Sequence, residues 1–70
     1  MDLNILNDYI KINFNMSMIL INNMLCGEID SHRLNIENDG NKIKVTIKHK
    51  TIECENFNDV LKVLYDIIKK

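Results

Sequence analysis

The sequence has no proline, tryptophan, alanine or glutamine, and only two glycines, two cysteines and one arginine in 70 residues. Each shortage excludes something. With no proline and no low-complexity run, nothing marks a linker or a disordered tail, and 46% apolar against 27% charged residues is a globular balance. Two cysteines without a CxxC pair make neither a disulfide framework nor a metal knuckle. The N-terminus lacks a basic segment and a small-residue cleavage site, so the expected location is a reducing cytoplasm. No apolar run is long enough to span a bilayer, because the longest, Met16 to Cys26, is interrupted by Ser17, Asn22 and Asn23. A formal charge of -1 gives no global attraction to nucleic acid or to an anionic membrane.

What the chain has in excess is asparagine, isoleucine and lysine, at 11, 12 and 8 copies. All three have A/T-rich codons. The asparagines are scattered among strong hydrophobes, which reads as the imprint of an AT-rich genome and not as a prion-like tract. At this length residues 1–70 form one small domain with a single core.

Phe57, Val60, Leu61, Leu64, Ile67 and Ile68 recur at helical spacing, which predicts a C-terminal α-helix. Asn56 is placed as its N-cap, Asp59 stands three residues on in a capping-box position, and Lys69 and Lys70 close it where the macrodipole favours cations. Between Ser31 and Asn56 the period changes to two. A tight turn at Asp39-Gly40 sets Ile36 opposite Ile43, Leu34 opposite Val45 and Glu37 opposite Lys42. A second turn near His49-Lys50, of poorer turn chemistry, sets Ile47 opposite Ile52, Val45 opposite Cys54 and Lys44 opposite Glu55. The reading is a three-stranded antiparallel meander whose covered face carries Leu34, Ile36, Ile43, Val45, Ile47, Ile52 and Cys54.

The first 26 residues are ambiguous. Ile10 to Met18 alternates apolar and polar like a strand, but Asn4, Asp8, Lys11, Asn15 and Asn22, joined by Asn7, line one side of a helical wheel. Gly27 then stands where a glycine would end the helix. We expect a helix from Asp2 to Cys26, with Asn13 to Asn15 as its weakest point. The expected fold is therefore α+β, in the order helix, three strands, helix, with both helices on one face of the sheet.

That helix has two apolar stripes and the sheet needs one. Leu3, Leu6, Ile10, Phe14, Ile21 and Met24 make the first; Ile5, Tyr9, Ile12, Met16 and Ile19 make the second, spaced to suit another helix of this chain or of a second molecule. The candidate partner or dimer interface is thus Ile5, Tyr9, Ile12 and Met16 as apolar anchors, rimmed by Asn4, Asp8, Lys11 and Asn15. A rival surface is the lysine-rich strand 42–50, where Arg33, Lys42, Lys44 and Lys48 are candidate nucleic-acid contacts. Glu37, Glu53 and Glu55 offset them and no aromatic ring interleaves them, so phosphate affinity and base stacking are both poorly served.

Other patterns carry less. A helix-turn-helix broken at Asn13 to Asn15 would have a recognition helix, Met16 to Asn23, with no Arg or Lys. Asn35, Glu37, Asp39 and Gly40 open like a calcium loop, but Thr46 stands where the bidentate Glu belongs. Cys26, Cys54, His32 and His49 lack the close spacing of a zinc site. Glu28, Asp30 and His32 are the only acid/base cluster, and neither Ser17 nor Ser31 sits in a nucleophile elbow. Neither a catalytic residue, nor a cofactor, nor a metal is assigned.

In size and AT-rich composition the chain resembles the small accessory proteins of phages and mobile elements, among which are inhibitors of host defence such as anti-CRISPR proteins. No motif carries this resemblance, so it implies a class of partner, a host defence complex, and no residue. Many such inhibitors mimic DNA with a dense acidic surface. Here acids are matched by lysines, which favours surface occlusion or dimerisation as the route.

Overall fold

The computed structural model describes residues 2–29 and 31–68. The order is α1 (Leu3–Phe14), β1 (Ile19–Ile21), β2 (Met24–Ile29), β3 (His32–Asp39), β4 (Lys42–Ile47), β5 (Lys50–Cys54) and α2 (Phe57–Ile68). The class is α+β as expected, but the sheet is a five-stranded antiparallel meander in the order β1-β2-β3-β4-β5.

The two extra strands come from the N-terminal region, where a helix to Cys26 was expected. The helix ends at the Asn13 to Asn15 cluster. Asn15 adopts a left-handed φ of 53° and donates its N–H to the Lys11 carbonyl at 2.9 Å, and the Asn13 amide donates to the Tyr9 carbonyl at 2.8 Å. Asparagine tolerates the left-handed region and bonds its own backbone neighbours, so it terminates helices where other residues would extend them. Continued as a helix, residues 16–26 would present hydrophobes all round. Folded as a hairpin they separate: Met18, Leu20 and Leu25 turn to the core, while Ile19, Ile21, Met24 and Cys26 take the opposite face. Asn22, expected on the helix stripe, is instead the first residue of the β1–β2 turn, at φ 56°. Gly27, expected to end a helix, lies inside β2 opposite Leu34.

Asn7 joins the helix to the sheet. Its Nδ2 donates to the Met18 carbonyl at 3.1 Å and its Oδ1 accepts from the Met18 N–H at 3.3 Å. One side-chain amide thereby occupies both backbone groups of the residue that leads into the edge strand, as a neighbouring strand would.

In β3 to β5 the alternation holds and the register moves. Ile36 lies opposite Val45 and Leu34 opposite Ile47, while Val45 lies opposite Ile52 and Ile43 opposite Cys54. Each pairing is offset by two residues from the expected one. The cause is the turns. Gly40, not Asp39, takes the first turn position, at φ 65°, and Asp39 pairs with Lys42. In the next hairpin Lys48-His49 is the turn, and Lys50 pairs with Ile47. An even shift preserves the face of every side chain. Leu34, Ile36, Ile43, Val45, Ile47 and Cys54 are buried as expected, and Ile52 is partly buried against them.

Leu3, Leu6 and Ile10 of α1 and Val60 and Leu64 of α2 enter the same core, so both helices cover one face of the sheet. They meet through rings packed edge-on: Tyr9 with Phe57 at 6.2 Å and Phe14 with Tyr65 at 6.0 Å. Asp2 caps α1 by accepting from the Asn4 N–H at 2.9 Å. Asn56 caps α2 by accepting from the Asp59 N–H at 2.9 Å, and Asp59 accepts in return from the Glu55 N–H at 3.3 Å. The C-terminal lysines assigned to the helix end lie outside the described residues.

Candidate functional site

The helix layer presents the candidate interface. Ile5, Tyr9 and Ile12 are 46%, 44% and 79% exposed, and Tyr65 of α2 is 56% exposed. The three α1 residues follow one another at steps of four and three, so they form one line along the helix. Tyr9 is packed edge-on against Phe57, which orients its exposed ring. Asn4, Asp8 and Lys11 are exposed on the same helix. Two expected members do not belong. Met16 lies beyond the end of α1, half-buried against the core, because the chain has left the helix by then. Asn15 is exposed but serves as the left-handed cap, and Ile19 of the expected stripe sits on the sheet.

The open face of the sheet is the other candidate. Lys42 pairs with Glu53 at 3.6 Å and Lys44 with Asp39 at 3.1 Å. The Asp39 hydrogen bond, then its charge, holds the Lys44 ammonium pKa above the ordinary lysine value. Arg33 stands opposite Glu28, and Glu37 opposite Lys44. Four carboxylates, of Glu28, Glu37, Asp39 and Glu53, thus face three cations, of Arg33, Lys42 and Lys44. Lys48, expected on this face, is in the β4–β5 turn, and Glu55 lies past the end of β5. None of the five strands carries a Phe, Tyr or Trp.

The β1–β2 corner of the same face was missed. Ile19 is 66% and Ile21 54% exposed, beside Met24 and the partly buried Cys26. No charged residue occurs from Ile12 to Gly27. The alternation of residues 10–18 does not reveal it, because Met18, Ile19, Leu20 and Ile21 are consecutive apolar residues and the alternation ends where β1 begins.

For chemistry the arrangement offers little. Cys54 is buried, and burial followed by the charge of Asp59 pushes its thiol pKa up, away from the reactive thiolate. His32 and Glu28 lie on neighbouring strands without a hydrogen bond between them among the described residues; Asp30, the third member of that cluster, lies outside them. Cys26 is on the open face and Cys54 on the covered face, so the four-residue zinc set is divided between the two sides of the sheet. Among the described residues no group of His, Cys, Asp and Glu could hold a metal ion, and no helix is long and apolar enough to cross a membrane. Comparison of the chain with protein-family models, with curated proteins and with solved structures finds no match.

Proposed function

We propose that this chain is a non-enzymatic binding module that occupies the surface of another protein through α1. The observation that carries the reading is the exposed line Ile5, Tyr9 and Ile12 with Tyr65 beside α1, four large apolar residues on the helix layer. A single exposed hydrophobe is ordinary; a line of them on one helix with an anchored tyrosine has the composition of an interface centre. Ile5, Tyr9 and Ile12 supply the desolvated area, and Asn4, Asp8 and Lys11 the orienting rim. A second copy of the chain can use the same line, so homodimerisation is one form of this activity. With acids and lysines interleaved, the module acts by occlusion and not by imitating nucleic acid. Size and composition add the setting: a cytoplasmic accessory protein of a phage or mobile element, directed at a host defence complex in the manner of an anti-CRISPR inhibitor.

The test is capture of partners by the tagged chain from lysate of its own source or host, with and without nuclease, beside the variant Ile12→Asp. Ile12 is 79% exposed, so the variant removes no core contact, and circular dichroism checks that α1 is retained. A nuclease-resistant protein at near-stoichiometric yield, lost with Ile12→Asp, is the expected result. Capture of nucleic acid alone, steeply weakened by salt and lost with Lys42→Gln and Lys44→Gln, would replace this reading with the lysine-strand one.

A further inference from the structure

Three turns of the sheet put their first residue in the left-handed region: Asn22 at φ 56°, Gly40 at φ 65° and Lys48 at φ 58°. Glycine and asparagine accept that conformation; in a lysine, Cβ crowds the following carbonyl oxygen. Ser31 shares the conformation at φ 68°, but Lys48 is the one long side chain among the described residues held there, a local strain. Lys48, His49 and Lys50 form one rim of a groove of 560 Å³. Its floor is Ile47 and Ile52 from the sheet with Val63 and Ile67 from α2, all aliphatic. Neither of the two ion pairs among the described residues engages Lys48 or Lys50. Asp66 of α2 also lines the groove, across from the turn. Two lysine side chains at one end of an aliphatic floor attract an anion to the turn.

The geometry points to a binding site for one unbranched alkyl chain ending in an anionic group, of the class of a fatty carboxylate. The chain lies along Ile47, Ile52, Val63 and Ile67, and the head is held by the ammonium groups of Lys48 and Lys50 and the ring N–H of His49. An alkyl chain suits this floor better than a peptide, whose backbone polar groups would lose water over four aliphatic side chains that offer no hydrogen bond. The volume lies within the range of small-ligand sites. None of the lining residues is Ile5, Tyr9, Ile12 or Tyr65, so this site shares no residue with the apolar line of the proposed protein interface.

Amide NMR shifts followed during titration with laurate below its micelle concentration test the assignment. Dodecyl phosphate serves as a second anionic head and dodecyltrimethylammonium as the cationic control. Saturable shifts centred on residues 47–52, Val63, Asp66 and Ile67 are expected with both anions and absent with the cation. Lys48→Gly separates binding from folding. It relieves the left-handed lysine and raises the thermal midpoint by about 5 °C, yet removes one charged contact and weakens laurate about fivefold. Adding Lys50→Gln weakens it further, about 20-fold in all. Absence of saturation, equal binding of the ammonium, shifts centred on Ile5, Tyr9 and Ile12, or undiminished binding by the stabilised Lys48→Gly would each overturn the site. None of those results bears on capture through Ile12.

Discussion

Replacing Asn7 by alanine tests whether one side chain holds α1 to the sheet edge. The two hydrogen bonds to Met18, at 3.1 and 3.3 Å, are partly buried. Each is worth about 1 kcal/mol net, for a loss of about 2 kcal/mol. Alanine returns about 0.6 kcal/mol through its better helix propensity. The expected net loss is about 1.5 kcal/mol, a fall of roughly 6–12 °C in Tm for a domain of this size. Urea unfolding gives the global number, and hydrogen exchange gives its location. The Met18 amide, left without an acceptor, is expected to lose protection by more than the global change, while Leu25 in β2 loses only the global amount. A loss below about 0.5 kcal/mol with Met18 still protected would refute the reasoning. The packing of Met18 over Gly27 would then be what holds the junction.

Further outcomes follow from single positions. A Cβ at Gly27 would lie 3.0 Å from Met18 Cγ and 3.2 Å from its Cε. Gly27→Ala is expected near neutral because the methionine can shift, and Gly27→Val to cost about 2 kcal/mol by overpacking, both read by denaturant midpoints. Cys26 is expected to react with a thiol reagent well before the buried Cys54, and equal rates would contradict the burial. The raised Cys54 pKa also has a sign in stability. The neutral thiol is favoured in the folded state, so its contribution is complete below the ordinary thiol value of 9.0 and declines as pH rises through it, where the unfolded chain ionises first. Urea midpoints on either side of that value are expected to show the decline, and a Cys54→Val variant to lack it.

The sheet core was readable because it rests on parity. Leu34, Ile36, Ile43, Val45 and Ile47 alternate without exception, and moving a turn by one residue shifts a hairpin by two and leaves every face unchanged. The register itself was not readable from the Asp-Gly signal alone. Asp39 had two uses, turn residue or strand residue, and it takes the one in which its carboxylate reaches Lys44. Nothing in the local dipeptide encodes that choice. The C-terminal helix was readable for the opposite reason: periodicity, the Asn56 cap and Asp59 all specify the same start.

The N-terminal region shows what a polar stripe can conceal. Asn7, Asn15 and Asn22 fit one side of a helical wheel, yet in the structure they are three different devices. Asn7 substitutes for a neighbouring strand, Asn15 ends a helix and Asn22 turns a hairpin. Asparagine is a poor helix former for the reason that makes it useful here: its amide bonds backbone groups that a regular element would otherwise bond for itself. A stripe of asparagines is thus ambiguous between solvated surface and chain punctuation, and hydrophobic residues elsewhere must decide. Met18, which interrupts the stripe on the wheel, was the deciding residue, because a helix would expose it and the hairpin buries it. The same choice trims the candidate interface. Once the chain turns at Asn15, Met16 and Ile19 leave the helix, and the exposed line that remains, Ile5, Tyr9 and Ile12, is confined to α1.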